Sequence, residues 1–248
     1  LLASNSRRVQ EGSCSCLSVI AEETWAESKR NNEFNVALAP YVGPVLTSIM
    51  RVYPRYEAKN VLILYDCVSN ILEGLPPQHV NAVCNTVVPP MMACWKSMDN
   101  PFDRRVIPLL ECMASVIQAV RAPFGQYAGP VLQRALNLAH AQMKLYLERQ
   151  AKEKDLRTEL LARAVTDTEA DDVIRSRLGI VQYDLDFCSV ALDLAGAICS
   201  SGLLGPLQQT LGAPIIALMR DSMSCADQSV RKAAFALCGD LAQDVPEL

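Results

Sequence analysis

Glu22, Asp66, Glu73, Glu111 and Asp193 are the residues in this chain with the clearest capacity for chemistry. Each stands in or beside an apolar run, where an unpaired charge is costly unless something meets it. Across residues 60–75, Val61, Leu64, Val68, Leu72 and Leu75 recur at helical spacing and form a core face. Ile63, Asp66, Asn70 and Glu73 follow at i, i+3, i+7 and i+10 and line a different face. Ile107, Glu111 and Ser115 repeat the pattern at i, i+4 and i+8. Ser189, Asp193 and Ser200 do so again with Val190 beside them, and Glu22 ends the first helix as Glu73 ends its counterpart. None of these positions is Lys or Arg. Any exposed helix face carries some charge, but a stripe of one sign suits an external cation. Carboxylates pair bidentately with Arg, and complementary fields speed encounter. The spacing predicts an acidic groove with aliphatic residues between its carboxylates, fitted to an extended basic peptide.

Other chemistries find little support. The two histidines, His79 and His140, have neither a following Glu nor an evident second ligand. There is no Gly-rich phosphate loop and no Gly-x-Ser-x-Gly. Neither catalysis, nor a metal, nor a cofactor is expected. None of the ten cysteines forms a Cys-x-x-Cys pair, and Cys67, Cys112 and Cys238 occupy positions on helix faces where Ala would serve. Free Cys behaves as a small buried hydrophobe, so reduced structural thiols in a cytosolic or nuclear protein are expected. A net charge of −4 and a pI near 5.3 argue against general nucleic-acid affinity. No run approaches the roughly eighteen apolar residues of a membrane span. The chain begins Leu-Leu-Ala without a signal-peptide pattern, as a piece of a longer protein would.

The elements that must position the stripe are helices. Half of the residues are hydrophobic but only 6% aromatic, which favours small-residue helix packing. Tyr41-Val-Gly-Pro-Val-Leu46 returns as Tyr127-Ala-Gly-Pro-Val-Leu132, a shift of 86 or two units of 43. Val87-Val-Pro-Pro-Met-Met92 occupies the intervening unit, and Gly205-Pro206 opens a similar run. Periodicity predicts helices over 7–27, 36–53, 58–74, 79–97, 103–120, 125–152, 185–200, 203–222 and 227–243, with no strands. Paired helices repeating at about 40–47 residues are the signature of a HEAT or armadillo solenoid. The expected fold is therefore an all-α HEAT-repeat superhelix. Residues 1–248 should form a single segment of about four to five repeats, interrupted by loops near 28–35 and 150–184. The second is charged, with Asp167, Glu169, Asp171 and Asp172 close together, and reads as a solvated linker with a helical start. Trp95 reads as packing within the outer helix of its pair.

Several longer strings carry a more specific resemblance. Arg8-Val-Gln-Glu11, Lys59-Asn-Val-Leu-Ile-Leu-Tyr-Asp66, Pro89-Pro90 with Trp95, Pro108-Leu-Leu-Glu-Cys112, Val190-Ala-Leu-Asp-Leu194 and Phe235-Ala-Leu-Cys-Gly-Asp-Leu241 occur in order along the chain. By these the chain resembles the transportins, nuclear import receptors of the importin-beta superfamily. The resemblance implies cargo contacts at Glu22, Ile63, Asp66, Asn70, Glu73, Ile107, Glu111, Val190 and Asp193. The implied partners are cargo proteins with basic proline-tyrosine nuclear localisation signals, Ran-GTP through regions outside this chain, and nucleoporins. The implied localisation is shuttling between cytoplasm and nucleus, with no nucleic-acid binding and no membrane insertion. Departures from the family pattern are modest. Asn70 and Glu73 stand where Thr and Asp are common, Ile107 replaces a Phe, and Ser189 replaces an Ile. The resemblance also implies that the Ran-binding arch, the acidic release loop and the proline-tyrosine pocket lie upstream of Leu1. A structural scaffold without cargo exchange is the alternative for a chain of this fold.

Overall fold

The computed structural model describes residues 1–98, 100–163, 166–179 and 183–244. Ten α-helices are found among them: α1 (Arg7–Arg30), α2 (Ala39–Val52), α3 (Ala58–Leu72), α4 (Val80–Lys96), α5 (Val106–Val120), α6 (Gly125–Ala162), α7 (Asp167–Leu178), α8 (Asp186–Ser200), α9 (Gln208–Met223) and α10 (Gln228–Asp244). They form two rows. In the inner row α1 packs on α3, α3 on α5, α5 on α8 and α8 on α10. In the outer row α2 packs on α4 and α6 on α9, and each outer helix pairs with the inner helix that follows it. The result is a paired-helix solenoid, the architecture expected from the repeat.

Proline distinguishes the rows. Every outer helix of the solenoid carries one inside: Pro44 in α2, Pro89 and Pro90 in α4, Pro130 in α6 and Pro214 in α9. Proline lacks the N–H that would bond the carbonyl four residues back, and such breaks bend a helix. Outer helices tolerate this because one side of each faces solvent, where a freed carbonyl finds water. Short 3-10 turns with an early proline precede α4, α6 and α9 at Pro77–His79, Ala122–Phe124 and Gly205–Leu207. The repeated Gly-Pro strings thus mark the outer row.

One apolar core runs from Cys14 to Leu241 through both rows. Trp95 in α4 is fully buried within it, and the Arg134 guanidinium lies 4.7 Å from its ring centroid while donating to the Met98 carbonyl at 3.1 Å. At the end of α3 the chain turns through Gly74 at φ +68°, under the indole of Trp25. A Cβ on Gly74 would lie 2.3 Å from the Trp25 ring, so both the turn and the packing require glycine.

Both expected loops are more ordered than their composition suggests. Helix α1 continues to Arg30, and the connection after it is pinned by Asn35, which is 2% exposed. Asn35 donates from Nδ2 to Thr24 Oγ1 at 3.0 Å and from its backbone N–H to the Gly74 carbonyl at 2.9 Å. In the second interruption α6 extends to Ala162, and α7 folds back on it around a small core of Leu160, Ala170 and Ile174. The acidic run belongs to α7. Thr166 and Glu169 form a capping box at its start, and Arg157 pairs with both Asp167 and Asp171. The linker reading missed this hairpin because charge hid its sparse apolar positions. Residues 164–165 and 180–182 of that stretch lie outside the described residues.

Candidate functional site

The stripe lies along the inner row. Side-by-side packing of α1, α3, α5 and α8 brings Glu22, Asp66, Glu111 and Asp193 onto adjacent helices, although they are far apart in sequence. All four are exposed. Ile63 and Ile107 are half-buried against the core and keep an apolar edge at the surface. Asn70 spans two helices, donating from Nδ2 to Glu22 Oε1 at 2.5 Å.

Glu111 is the electrostatic centre. Its carboxyl is pushed above the ordinary carboxylate range by burial first, then by the negative charges of Asp193, Asp66 and Asp186. Three helices thus aim like charges at one another. Asp193 is also raised by burial, with Lys232 of α10 pulling in the opposite direction. In each case ionisation at neutral pH carries a cost that an incoming cation would relieve.

The structure modifies the predicted set at two places. Val190 is 3% exposed and belongs to the core, so it supports the stripe from beneath and offers no surface contact. Its neighbours mislead: one residue of offset on a helix turns a side chain by about 100°, following from 3.6 residues per turn. Glu73 is not the last rung of a helix. It is the C-cap of α3, with extended backbone at φ −62° and ψ 126°, and its exposed side chain leaves the helical register. The face is also less free of cations than its own positions imply. Arg104 bonds Asp184 at 2.8 Å and Asp186 at 2.5 Å at one margin, and Lys232 approaches Asp193 at another.

Asp240 of α10 was missed. Its carboxyl is raised by burial and by Asp244. Its Oδ2 lies 2.7 Å from where a Cβ on Gly196 would be, so the glycine in mid-α8 leaves room for the carboxylate. A cavity of about 350 Å³ opens there between α5, α8 and α10, with Ala114, Gly196 and Ala197 among its lining and Asp193 and Asp240 beside them. An unexplained glycine inside an otherwise good helix was the available signal.

A solenoid of paired helices whose inner row gathers carboxylates defines the class: an all-α HEAT-repeat superhelix with an acidic inner surface. Its relatives are transportins. The chain is 30% identical over 244 residues to Transportin-1 of Homo sapiens, covering 97% of this chain and 23% of that protein. It is 30% identical over 250 residues to Transportin-1 of Oryza sativa subsp. japonica, with the same 97% and 23% coverage. Importin subunit beta-2 of Schizosaccharomyces pombe is 26% identical over 253 residues, again covering 97% of the chain and 23% of the relative. No family model matches. The chain is a transportin-like HEAT-repeat segment, spanning about a quarter of the length of the relatives it matches.

Proposed function

We propose that this chain forms part of a nuclear import receptor and that its inner row binds an extended basic localisation signal of the proline-tyrosine class. The observation that carries this reading is the convergence of Asp66, Glu111 and Asp193 from three helices, whose like charges add to burial in raising the Glu111 carboxyl. A peptide Arg or Lys entering this field replaces like-charge repulsion with attraction, and Ile63 and Ile107 receive the aliphatic parts of the same segment. The names of the relatives, Transportin-1 and Importin subunit beta-2, support a transport role. The mechanism is reversible binding without catalysis or cofactor. Ran-GTP discharges the cargo and nucleoporins guide passage between cytoplasm and nucleus, both through regions of the receptor outside this chain.

The test is a titration of a labelled basic proline-tyrosine signal peptide against the chain and its Asp66→Lys, Glu111→Lys double variant, followed by fluorescence anisotropy. Reversal should weaken binding by about 2–5 kcal/mol if both carboxylates pair with the peptide. Equal affinity for the two proteins overturns the site.

A further inference from the structure

A second cavity, of about 430 Å³, lies at the edge of the solenoid where the α2–α3 pair meets the α4–α5 pair. Its volume falls in the range of about 300–1,000 Å³ usual for small-molecule sites. Tyr53, Leu62 and Tyr65 line it from one pair and Pro90, Cys94 and Arg105 from the next. The hydroxyls of Tyr53 and Tyr65 lie 2.5 Å apart and share one hydrogen bond, and their rings form apolar wall. Burial pushes both phenols upward, so they stay neutral at physiological pH.

Among the described residues the lining carries one cation. Arg105 has a side chain 61% exposed and therefore belongs to the rim. It donates to Asp103 through Nε at 2.9 Å and Nη2 at 2.6 Å, and among the described residues Nη1 has no partner. Asp103 offsets the Arg105 charge as Arg7 offsets Glu57, so what Arg105 offers the cavity is the open Nη1 N–H. Helices α3 and α5 both begin at this edge, at Ala58 and Val106, which adds the positive ends of their dipoles.

From this combination of an apolar interior and a rim that carries an open guanidinium N–H beside two helix N-termini, we propose that the cavity binds a small amphipathic carboxylate, either an aromatic or a medium-chain acid. The apolar body lies against Leu62, Tyr65 and Pro90, and the carboxylate takes the open Nη1 of Arg105. Because the walls come from two consecutive pairs, an occupant also ties those pairs together. Cys94, half-buried in the same wall, reports occupancy.

Calorimetric titration of the chain with octanoate, phenylbutyrate and octanol tests the proposal, with alkylation of Cys94 by iodoacetamide located by peptide mass spectrometry. Saturable binding of the acids, slowing of Cys94 alkylation, and weaker binding of octanol are expected. Arg105→Gln should weaken the acids by about tenfold or more, as for a charge-assisted hydrogen bond, and leave octanol unchanged. Ala93→Leu, which fills the cavity from an exposed position, should abolish both while circular dichroism shows an intact fold. Absence of saturable acid binding, octanol binding as tightly as octanoate, or unchanged acid affinity in Arg105→Gln would each overturn it.

Discussion

Carboxylates of the α6–α7 hairpin and those of the inner row are the same residue types in opposite circumstances. In the hairpin Asp167 and Asp171 meet Arg157, Glu153 meets Arg149 at 2.7 Å, and Glu169 closes the cap of its own helix. Thr166 draws the Glu169 carboxyl below its ordinary range through hydrogen bonds. On the inner row Glu111, Asp193 and Asp240 are all pushed upward, chiefly by burial and then, for Glu111 and Asp240, by one another's kind. Local partners sit within a few helical turns or across one hairpin, so the insertion satisfies its own charge. The inner row is built from helices contributed by distant segments, and there Glu111 faces the like charges of Asp193, Asp66 and Asp186, with Lys232 and Arg104 offsetting Asp193 and Asp186 at the margins. A count of acidic residues does not separate carboxylates that have local basic or capping partners from carboxylates gathered across helices, but their contacts do.

The largest effect that would break this contrast is on peptide affinity. Asp66→Lys with Glu111→Lys should cost about 2–5 kcal/mol of binding, whereas Asp167→Lys with Asp171→Lys in the hairpin should leave the same titration unchanged. Equal losses would mean that net charge, rather than the inner-row geometry, governs binding. Next, Thr166→Ala removes the cap of α7 and should destabilise that helix by about 1 kcal/mol. Hydrogen exchange would report faster opening of α7 with peptide affinity unaltered.

A smaller and more diagnostic effect comes from Glu111→Gln. Removing a charge that its neighbours oppose should raise the melting temperature slightly, by less than about 1 kcal/mol of stability once solvent screening is counted, and should weaken peptide binding. Opposite signs in the two assays separate a binding residue from a structural one. The mildest perturbation is pH. Because the folded-state values of Glu111, Asp193 and Asp240 are raised, the repulsive cost exists above those values and disappears as pH falls through them. Their contribution to stability should therefore improve on acidification through the carboxylate range. Peptide affinity should fall over the same range, starting above the pH at which an ordinary Glu protonates. Thermal melts and anisotropy recorded in parallel would show the two curves diverging.

Much of the fold was legible because its signals are local. Gly-Pro and Pro-Pro strings at a fixed interval exposed the repeat, and they mark outer helices for a reason internal to each segment: proline breaks a hydrogen bond that only a solvent-facing helix can spare. The core face of α3 followed from spacing alone, and Leu64, Val68 and Leu72 are buried as that spacing requires. The hairpin was not legible, since Leu160, Ala170 and Ile174 are too few to show a period among charges. Spacing alone did not show that Val190 is buried, one helical step from the exposed positions, or that Glu73 caps α3 because the helix stops before it.

By itself, the sequence determined an all-helical chain, an alternation of proline-broken and continuous helices, and a set of polar positions set apart from the apolar seams. These are consequences of backbone chemistry and of side-chain period within one segment. Only the tertiary structure decided that Asp66, Glu111 and Asp193 share one field, that Gly196 makes room for Asp240, and that the hairpin carboxylates are already paired. Those facts depend on distances between helices remote in sequence. Electrostatic energy falls off with separation in space, and no spacing along a single helix contains that separation.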